Sequence, residues 1–534
     1  MVVSLLITLA LPALLLYWLY RWSIATYDYF ERRAVPFPKP VPLFGNLWPF
    51  VAGRTTGIEA ATVGYWQFPE DRFSGFFNFR RPGYLVHDPD LVKRITIKDF
   101  DHFVDHSFNV SPEVDPFLGR SLFFSEGLRW RHGRAGLSPA FTGSKMRNMF
   151  ELLATYSEGA MQRLARTGKV EREAKDLFQR LGNDVMTSIS FGIEIDSVHD
   201  PDNEFFQKGL KLSATAGIQG LKFFLSTVIP PQVFIYLGLR ITPRNVADFY
   251  VDIVKRTIQY REENNFIRPD FIHLLMQARK NELKQEQADE RLSSAGFSTV
   301  QEHLAAATQE NPVKWTDLEI TASVASFFFG GIETTANALC FVLYELSLNP
   351  DVQEKLHQEI KTVQEGLGSG RLTYETMQKM KYLDMVITET LRLWPPVAFT
   401  NRRCTKEYTM ENTDGTRVTI EKGATLQIPI QAIHRDPRYY PNPLRFDPER
   451  FSDENRHTIN QDAYLPFGAG PRNCVGSRLA LMQTKCFLYY LLSYFSVEMS
   501  AKTDVPMKLA KRTIGINSRS GFWFHLVPRG KELS

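Results

Sequence analysis

The 534-residue chain predicts a mainly α-helical protein with small β-sheets, one large catalytic domain behind an N-terminal membrane anchor. Three observations carry that prediction. The first twenty residues are apolar and uncharged, the middle of the chain is dominated by helical periodicity, and short strand-like stretches occur in only a few places.

The anchor is "MVVSLLITLALPALLLYWLY", residues 1–20, followed by Arg21, Arg32 and Arg33. Twenty apolar residues suffice to cross a hydrocarbon layer of ~30 Å. A cleavable signal peptide has a positive start and a shorter apolar core, and neither is present. The positive flank follows the apolar run, so the rest of the chain is expected on the cytosolic side. Residues 21–46 form a basic, proline-rich linker, with "PFPKPVPLFGN" reading as a stiff extended spacer. Nothing after it resembles a second linker, so residues 47–534 read as one domain.

Within that domain, "FSGFFNFRRPGYLV" (Phe73 to Val86) reads as two strands joined by a Pro-Gly turn. From Arg129 to Tyr344 the patterns are mostly helical. Leu221 to Leu239 is nearly uncharged and broken by Pro230-Pro231, which suits either buried core or a second surface dipping into lipid. Lys280 to Lys314 is polar and charged, a solvated helix pair or an exposed loop. Strand signals return at Thr416 to Ile430 and at "GFWFHLV" near the C-terminus.

Composition narrows the function. Hydrophobic residues make up 43% and 40 residues are phenylalanine, enough for a large core and for an enclosed apolar cavity. A net charge of +4 is too weak a bias to argue for nucleic acid. Four cysteines (Cys340, Cys404, Cys474 and Cys486) make no disulfide framework, and without a CxxC pair they argue against structural zinc.

Three motifs carry chemistry. The longest helix begins at "TDLE", where Thr316 and Glu319 have capping-box spacing, and ends at Asn349-Pro350. At 1.5 Å per residue its length is roughly 50 Å, enough to cross the globule. In its middle lies "FFFGGIETTAN". Two helical glycines cost on the order of 1 kcal/mol each relative to alanine, and they permit either close approach of another group or a local break in the hydrogen-bond ladder. Glu333, Thr334 and Thr335 follow directly, an acid and alcohols able to relay protons; a kinked core helix with a satisfied carboxylate is the plainer alternative. In "ETLRLWPP", Glu389 and Arg392 share a helix face within an apolar stretch, which predicts a buried pair, with Arg450 of "DPERF" as the further partner. Finally, "PFGAGPRNCVG" sets Cys474 in a glycine-rich loop just before a long apolar helix, whose positive end favours a thiolate. Such a sulfur suits an axial ligand, with Arg472 placed to neutralise acidic groups on the ligand's edge. A nucleophilic thiol would need a base, and no histidine lies in or beside this loop.

Together these residues resemble the haem-thiolate monooxygenases, the P-450 cytochromes. Phe467, Gly470, Arg472, Cys474 and Gly476 fit the family's cysteine-loop pattern Phe-x-x-Gly-x-Arg-x-Cys-x-Gly at every fixed position. "ETLR" fits Glu-x-x-Arg, and "GGIETT" fits the oxygen-binding turn, with Gly330 where many relatives carry alanine and Glu333 in place of aspartate. "WRHGR" fits Trp-x-x-x-Arg. The resemblance extends from anchor to C-terminus, and "LSPAFTGSKM" with the phenylalanine-rich helix looks most like insect members of the microsomal, xenobiotic-metabolising branch.

The resemblance implies the cytochrome P-450 fold and haem b, with Cys474 as the iron's axial ligand. Trp130, Arg134, Arg402 and Arg472 are expected on the propionates, and Phe467 and Gly330 against the ring. Dioxygen and NADPH-derived electrons are the implied co-substrates. The electrons come through a separate NADPH-dependent flavoprotein reductase, with cytochrome b5 a further candidate partner. One oxygen atom enters a lipophilic substrate, a xenobiotic or an endogenous lipid, while Glu333 and Thr334 deliver protons. By position, Phe123, Phe124, Phe329, Val397, Ala398, Phe399, Thr513 and Ile514 line the substrate cavity, although each could equally be core. Arg131, Lys145, Arg478 and Lys485 are candidates for docking the reductase. The implied location is the endoplasmic reticulum membrane, catalytic domain toward the cytosol. A haem-thiolate enzyme that rearranges peroxides and a non-catalytic haem protein are the rival classes. The Glu333-Thr334 pair argues against both.

Overall fold

The structure, a computed structural model, describes residues 2–141, 143–213, 217–280, 297–298, 315–511, 513 and 515–530. In chain order the strands are β1 (Phe73–Asn78), β2 (Arg81–Val86), β3 (Val170–Glu173), β4 (Thr400–Arg403), β5 (Tyr408–Glu411), β6 (Arg417–Ile420), β7 (Thr425–Ile428), β8 (Phe495–Met499) and β9 (Trp523–Pro528). The helices that matter here are α1 (Val2–Ile24), α2 (Gly127–Leu137), α3 (Ala174–Phe191), α4 (Gly217–Val228), α5 (Pro231–Tyr236), α6 (Asp317–Leu348), α7 (Lys381–Leu393) and α8 (Ser477–Tyr494). They fall into two compact units.

The smaller unit comprises Met1–Ser107, Ala398–Ile433 and Lys511–Gly515. It holds a four-stranded sheet in the order β1-β2-β7-β4, in which only β2 and β7 run parallel, and the β5-β6 hairpin. The first turn is not where the Pro-Gly pair suggested. It falls at Phe79, with φ +56°, and Pro82-Gly83 lie inside β2. Gly83 faces Phe76 across the strands, and a Cβ there would come within 2.5 Å of that ring. The glycine makes room for an aromatic side chain.

The proline-rich stretch is also not a free spacer. Phe30 is fully buried against Phe37, Phe77 and Tyr84 at centroid distances of 5.6, 5.1 and 5.4 Å. Gly75 N donates to Pro36 O at 2.8 Å, and Phe77 N donates to Asn46 Oδ1 at 2.7 Å. Aromatic burial and these hydrogen bonds fold the segment onto β1. Ahead of it, α1 keeps Leu11, Leu14, Leu15, Leu16, Tyr17 and Trp18 exposed.

The larger unit comprises Phe108–Val397, His434–Ala510 and Ile516–Ser534. Its antiparallel sheet runs β3-β9-β8. The charged β3 has no strand signal of its own; pairing with β9 supplies it. At the centre is α6, 32 residues long, with the expected capping box: Thr316 Oγ1 accepts from Glu319 N at 3.3 Å, and Glu319 Oε2 accepts from Thr316 N at 3.0 Å. The helix is long and apolar enough to cross a membrane, yet most of it is buried within the protein. It is a core helix.

Glu389 and Arg392 on α7 are both fully buried, joined by two hydrogen bonds of 2.7 and 2.8 Å. Arg392 Nη1 also donates to His434 O at 2.7 Å, and Glu389 Oε1 accepts from Asp447 N at 2.9 Å. Arg450 is the looser third partner, its Nε 3.4 Å from Glu389 Oε1. Burial pushes the Glu389 carboxyl up, and Arg392 pulls it back. Glu389→Ala would strand a buried guanidinium, so a loss of about 3–5 kcal/mol is expected in denaturant unfolding. An unchanged midpoint would show that Arg392 does not depend on Glu389.

Residues 221–239 resolve into α4 and α5. Leu221, Val233, Ile235, Tyr236 and Leu237 are exposed, while Phe234 is buried. For those five the core reading does not hold. Of the polar stretch 280–314, only Lys280, Phe297 and Ser298 are among the described residues.

Candidate active site at the cysteine loop

The cysteine loop closes on itself. Gly468 and Gly470 adopt φ +72° and +71°, the left-handed region that favours glycine. Gly468 N donates to Leu465 O at 3.0 Å, Asn473 N to Gly470 O at 3.0 Å, and Cys474 N to Phe467 O at 2.9 Å. These bonds hold Cys474 just ahead of α8. Its side chain has exposed surface, yet burial pushes the thiol up, partly offset by the Gly476 N–H and by the Arg134 charge. The expected helix-dipole effect is therefore outweighed by burial. Solvent can reach the sulfur, yet its surroundings disfavour the charged form. A cation held at the sulfur reverses that balance, because a coordinated thiol is deprotonated.

Two arginines flank the loop. Arg134 on α2 donates to Asn473 through Nη2 to Oδ1 at 2.6 Å and Nη1 to O at 3.1 Å. Arg472 Nη2 donates to Ser125 O at 2.8 Å, and its guanidinium lies 4.0 Å over the Trp130 ring. Both arginines and Trp130 are buried. Buried guanidiniums beside an accessible thiol suit a flat ligand that carries acidic groups.

The glycine pair on α6 does two different jobs. A Cβ on Gly331 would come within 2.9 Å of Met186, so this glycine lets α3 pack closely. A Cβ on Gly330 would meet nothing within 4 Å. At the middle of the helix Ser326, Phe329, Gly330, Gly331, Glu333 and Thr334 retain accessible surface, and all but Gly331 fall at one-face spacing. The helix is continuous through this turn, so Gly330 marks no break in the hydrogen-bond ladder. Thr334 Oγ1 donates to Gly330 O at 2.5 Å.

Glu333 is held from α3. Lys175 Nζ lies 2.7 Å from Oε1, and Gln179 Nε2 donates to Oε2 at 2.6 Å. Lys175 also donates to Asn517 Oδ1 at 2.5 Å. Neither Lys175 nor Gln179 was anticipated; their i, i+4 spacing was the available signal. The next residue, Thr335, donates to Gln483 Oε1 at 3.3 Å. That bond ties the turn to α8, the helix that follows the cysteine.

Among the apolar candidates, Phe123 and Phe124 meet edge to face at 5.0 Å, and Phe124 reaches Phe223 of α4 at 6.1 Å. Phe329 is half-buried and Val397 is exposed. Ala398, Phe399, Arg402 and Thr513 belong to the smaller unit, and Ile514 lies outside the described residues. Arg402 is buried on β4, where Nη1 donates to Asn401 O at 2.8 Å and burial lowers its pKa to about 10. One docking candidate fails outright. Lys485 is buried, 2.8 Å from Asp384 Oδ1, and cannot meet a partner protein. Arg131, Lys145 and Arg478 keep some exposure.

A mainly helical core, a buried Glu-x-x-Arg pair, a closed cysteine loop and an open glycine turn together define a class, the haem-thiolate oxidoreductases. The profile of the family described as Cytochrome P450 matches residues 35–523, and the chain belongs to that family. It is 39% identical over 524 residues to Cytochrome P450 9e2 of Blattella germanica, covering 95% of both chains. It is 38% identical to Probable cytochrome P450 9f2 of Drosophila melanogaster, covering 96% of this chain and 97% of the relative. Cytochrome P450 6k1 of Blattella germanica is 33% identical over 96% of each. The chain is thus a haem-dependent monooxygenase of the insect xenobiotic-metabolising type, using haem iron, dioxygen and NADPH-derived electrons.

Proposed function

We propose that this chain is a membrane-bound monooxygenase of lipophilic small molecules, whose cysteine loop would hold haem b with the Cys474 sulfur on the iron. The observation that carries the reading is an accessible but desolvated thiol in a closed loop, flanked by buried arginines. Arg134 and Arg472 would hold the haem carboxylates, with Trp130 stacked beneath Arg472 fixing its plane. Gly330, with open space beside it, would leave room for the bound group. When bound, the haem supplies dioxygen binding and one-electron chemistry, and a thiolate ligand favours O–O cleavage.

The chain's own residues supply the rest. Cys474 would hold the iron as a thiolate, its proton passing to solvent. The Gly476 N–H and the Arg134 charge stabilise the sulfur's negative charge. Thr334 spends its proton on Gly330 O, leaving lone pairs toward the open face, so its hydroxyl can accept from a guest and rotate to donate. Glu333, held by Lys175 and Gln179, stands one residue away as a proton store. Phe123, Phe124, Phe329 and Val397 present apolar surface, which favours a lipophilic substrate and keeps water from the reaction.

Electrons reach the haem from NADPH through a separate flavoprotein reductase, with cytochrome b5 as a second donor; Arg131, Lys145 and Arg478 remain the docking cations. The test is turnover of a lipophilic panel with NADPH and reductase. Conversion of organic hydroperoxides without any NADPH-dependent product would favour the peroxide-rearranging reading instead.

The same proposal places the chain in the endoplasmic reticulum membrane, held by α1 with the catalytic domain toward the cytosol. The exposed residues of α4 and α5 make a second, weaker contact. Deleting residues 1–20 should loosen sedimentation with membranes without abolishing it, and adding Tyr236→Asp and Leu237→Asp should release the rest. Complete release by the deletion alone would remove the second contact.

A further inference from the structure

Phe297 and Ser298 belong to the polar connection 280–314, yet they lie inside the larger unit. The Phe297 ring meets Phe451 at 4.9 Å and Tyr464 at 5.2 Å, and those two rings meet each other at 5.3 Å. Phe297 N donates to Asp384 Oδ2 at 3.1 Å. The other oxygen of Asp384 lies 2.8 Å from Lys485 on α8. Ser298 is buried, with its Oγ 2.9 Å from Thr388 Oγ1 and 2.8 Å from the Tyr464 hydroxyl.

The proton directions of these three hydroxyls are determined. Tyr464 OH donates to Thr388 O at 3.0 Å, so it accepts from Ser298. Ser298 has then used its only proton and must accept from Thr388 Oγ1. A directed chain results, from Thr388 Oγ1 through Ser298 and Tyr464 to the Thr388 carbonyl, with each hydroxyl donating once.

Tyr464 stands at the root of the cysteine loop. His434 stacks on its ring at 5.4 Å and accepts from Leu465 N at 2.7 Å. Leu465 O accepts from Gly468 N, and Phe467 O accepts from Cys474 N. Hydrogen bonds, joined by the chain itself at Tyr464-Leu465 and Phe467-Gly468, therefore lead from Ser298 to Cys474.

We propose that Phe297 and Ser298 form an intramolecular hook that holds Tyr464, so that this pair positions the loop presenting the Cys474 sulfur. The hook rests on the reading of Cys474 as the axial ligand. Phe297 and Ser298 are positioning residues that act through Tyr464. They also account for the buried Lys485, which orients Asp384 to receive the hook's N–H.

The test uses the full haem-loaded chain and the carbon-monoxide difference band of thiolate-ligated haem, followed on mild warming. Phe297→Ala should lose that band at least ~tenfold faster than wild type, and Phe297→Tyr should restore most of its lifetime. Phe191→Ala removes a buried ring elsewhere in the same unit and is the control: its band should fall only as fast as the fold is lost. Ser298→Ala and Tyr464→Phe should each shorten the lifetime, and the double variant should be no worse than Tyr464→Phe alone. Additive effects, or hook variants with wild-type lifetimes while wild type shows the band, overturn the hook alone. A wild-type chain lacking the band overturns the Cys474 reading and the positioning role with it.

Discussion

Cys474→Ser should abolish the carbon-monoxide difference band typical of thiolate-ligated haem, and NADPH-dependent turnover should fall to background. The substitution changes one atom. The backbone bond from residue 474 N to Phe467 O does not involve the side chain, and the left-handed glycines at 468 and 470 are untouched, so the loop should persist. A serine hydroxyl, however, holds its proton far more tightly than a thiol and offers no soft anionic donor. The proposed contacts of Arg134, Arg472 and Trp130 would hold haem without the sulfur, so the band is the decisive reading and haem content is not. Because burial pushes the Cys474 thiol up, wild-type sulfur carries its proton before ligation. Haem binding should therefore release about one proton per site and weaken as pH falls. A variant whose band survives unchanged would remove Cys474 from the iron.

Much of this site was legible because its signals are local. The cysteine loop needs two left-handed backbone positions and a helix start close by, and glycine spacing records both. The capping box at Thr316 and the buried Glu389–Arg392 pair are likewise short-range patterns that survived intact in three dimensions. What failed was long-range. Lys175 and Gln179 reach Glu333 from a helix more than 150 residues earlier, and no local pattern ties them to an acid on α6. Lys485 looked like a surface charge because its partner, Asp384, lies on another helix. The stretch 21–46 looked like a linker because prolines mark extended chain, while the aromatic neighbours Phe77 and Tyr84 that help bury Phe30 come from β1 and β2. Gly330 and Gly331 are indistinguishable in sequence. Only packing separates the one that admits Met186 from the one left open.

Thr334→Ala should uncouple the reaction without disturbing the haem's ligation. The side chain is small and partly accessible, and Gly330 O keeps its place in a continuous helix when the Thr334 hydroxyl is gone, so the fold and the thiolate band should persist. What disappears is the one hydroxyl on the accessible face of α6 that bonds within the turn, at 2.5 Å from Gly330 O. Glu333 cannot substitute directly, since both of its oxygens are engaged by Lys175 and Gln179 on α3. NADPH should still be consumed, but more of its electrons should leave as hydrogen peroxide and fewer as hydroxylated product. A positioned proton-transfer group contributes roughly 10²–10⁴-fold, and water that enters the vacated space should recover part of that, leaving a loss of about ten- to a thousandfold in product formed per NADPH. Thr334→Ser keeps the hydroxyl and should restore coupling, which a purely steric role for the methyl group would not allow. Equal coupling in wild type and Thr334→Ala would assign proton delivery to another group and leave Thr334 as a helix residue.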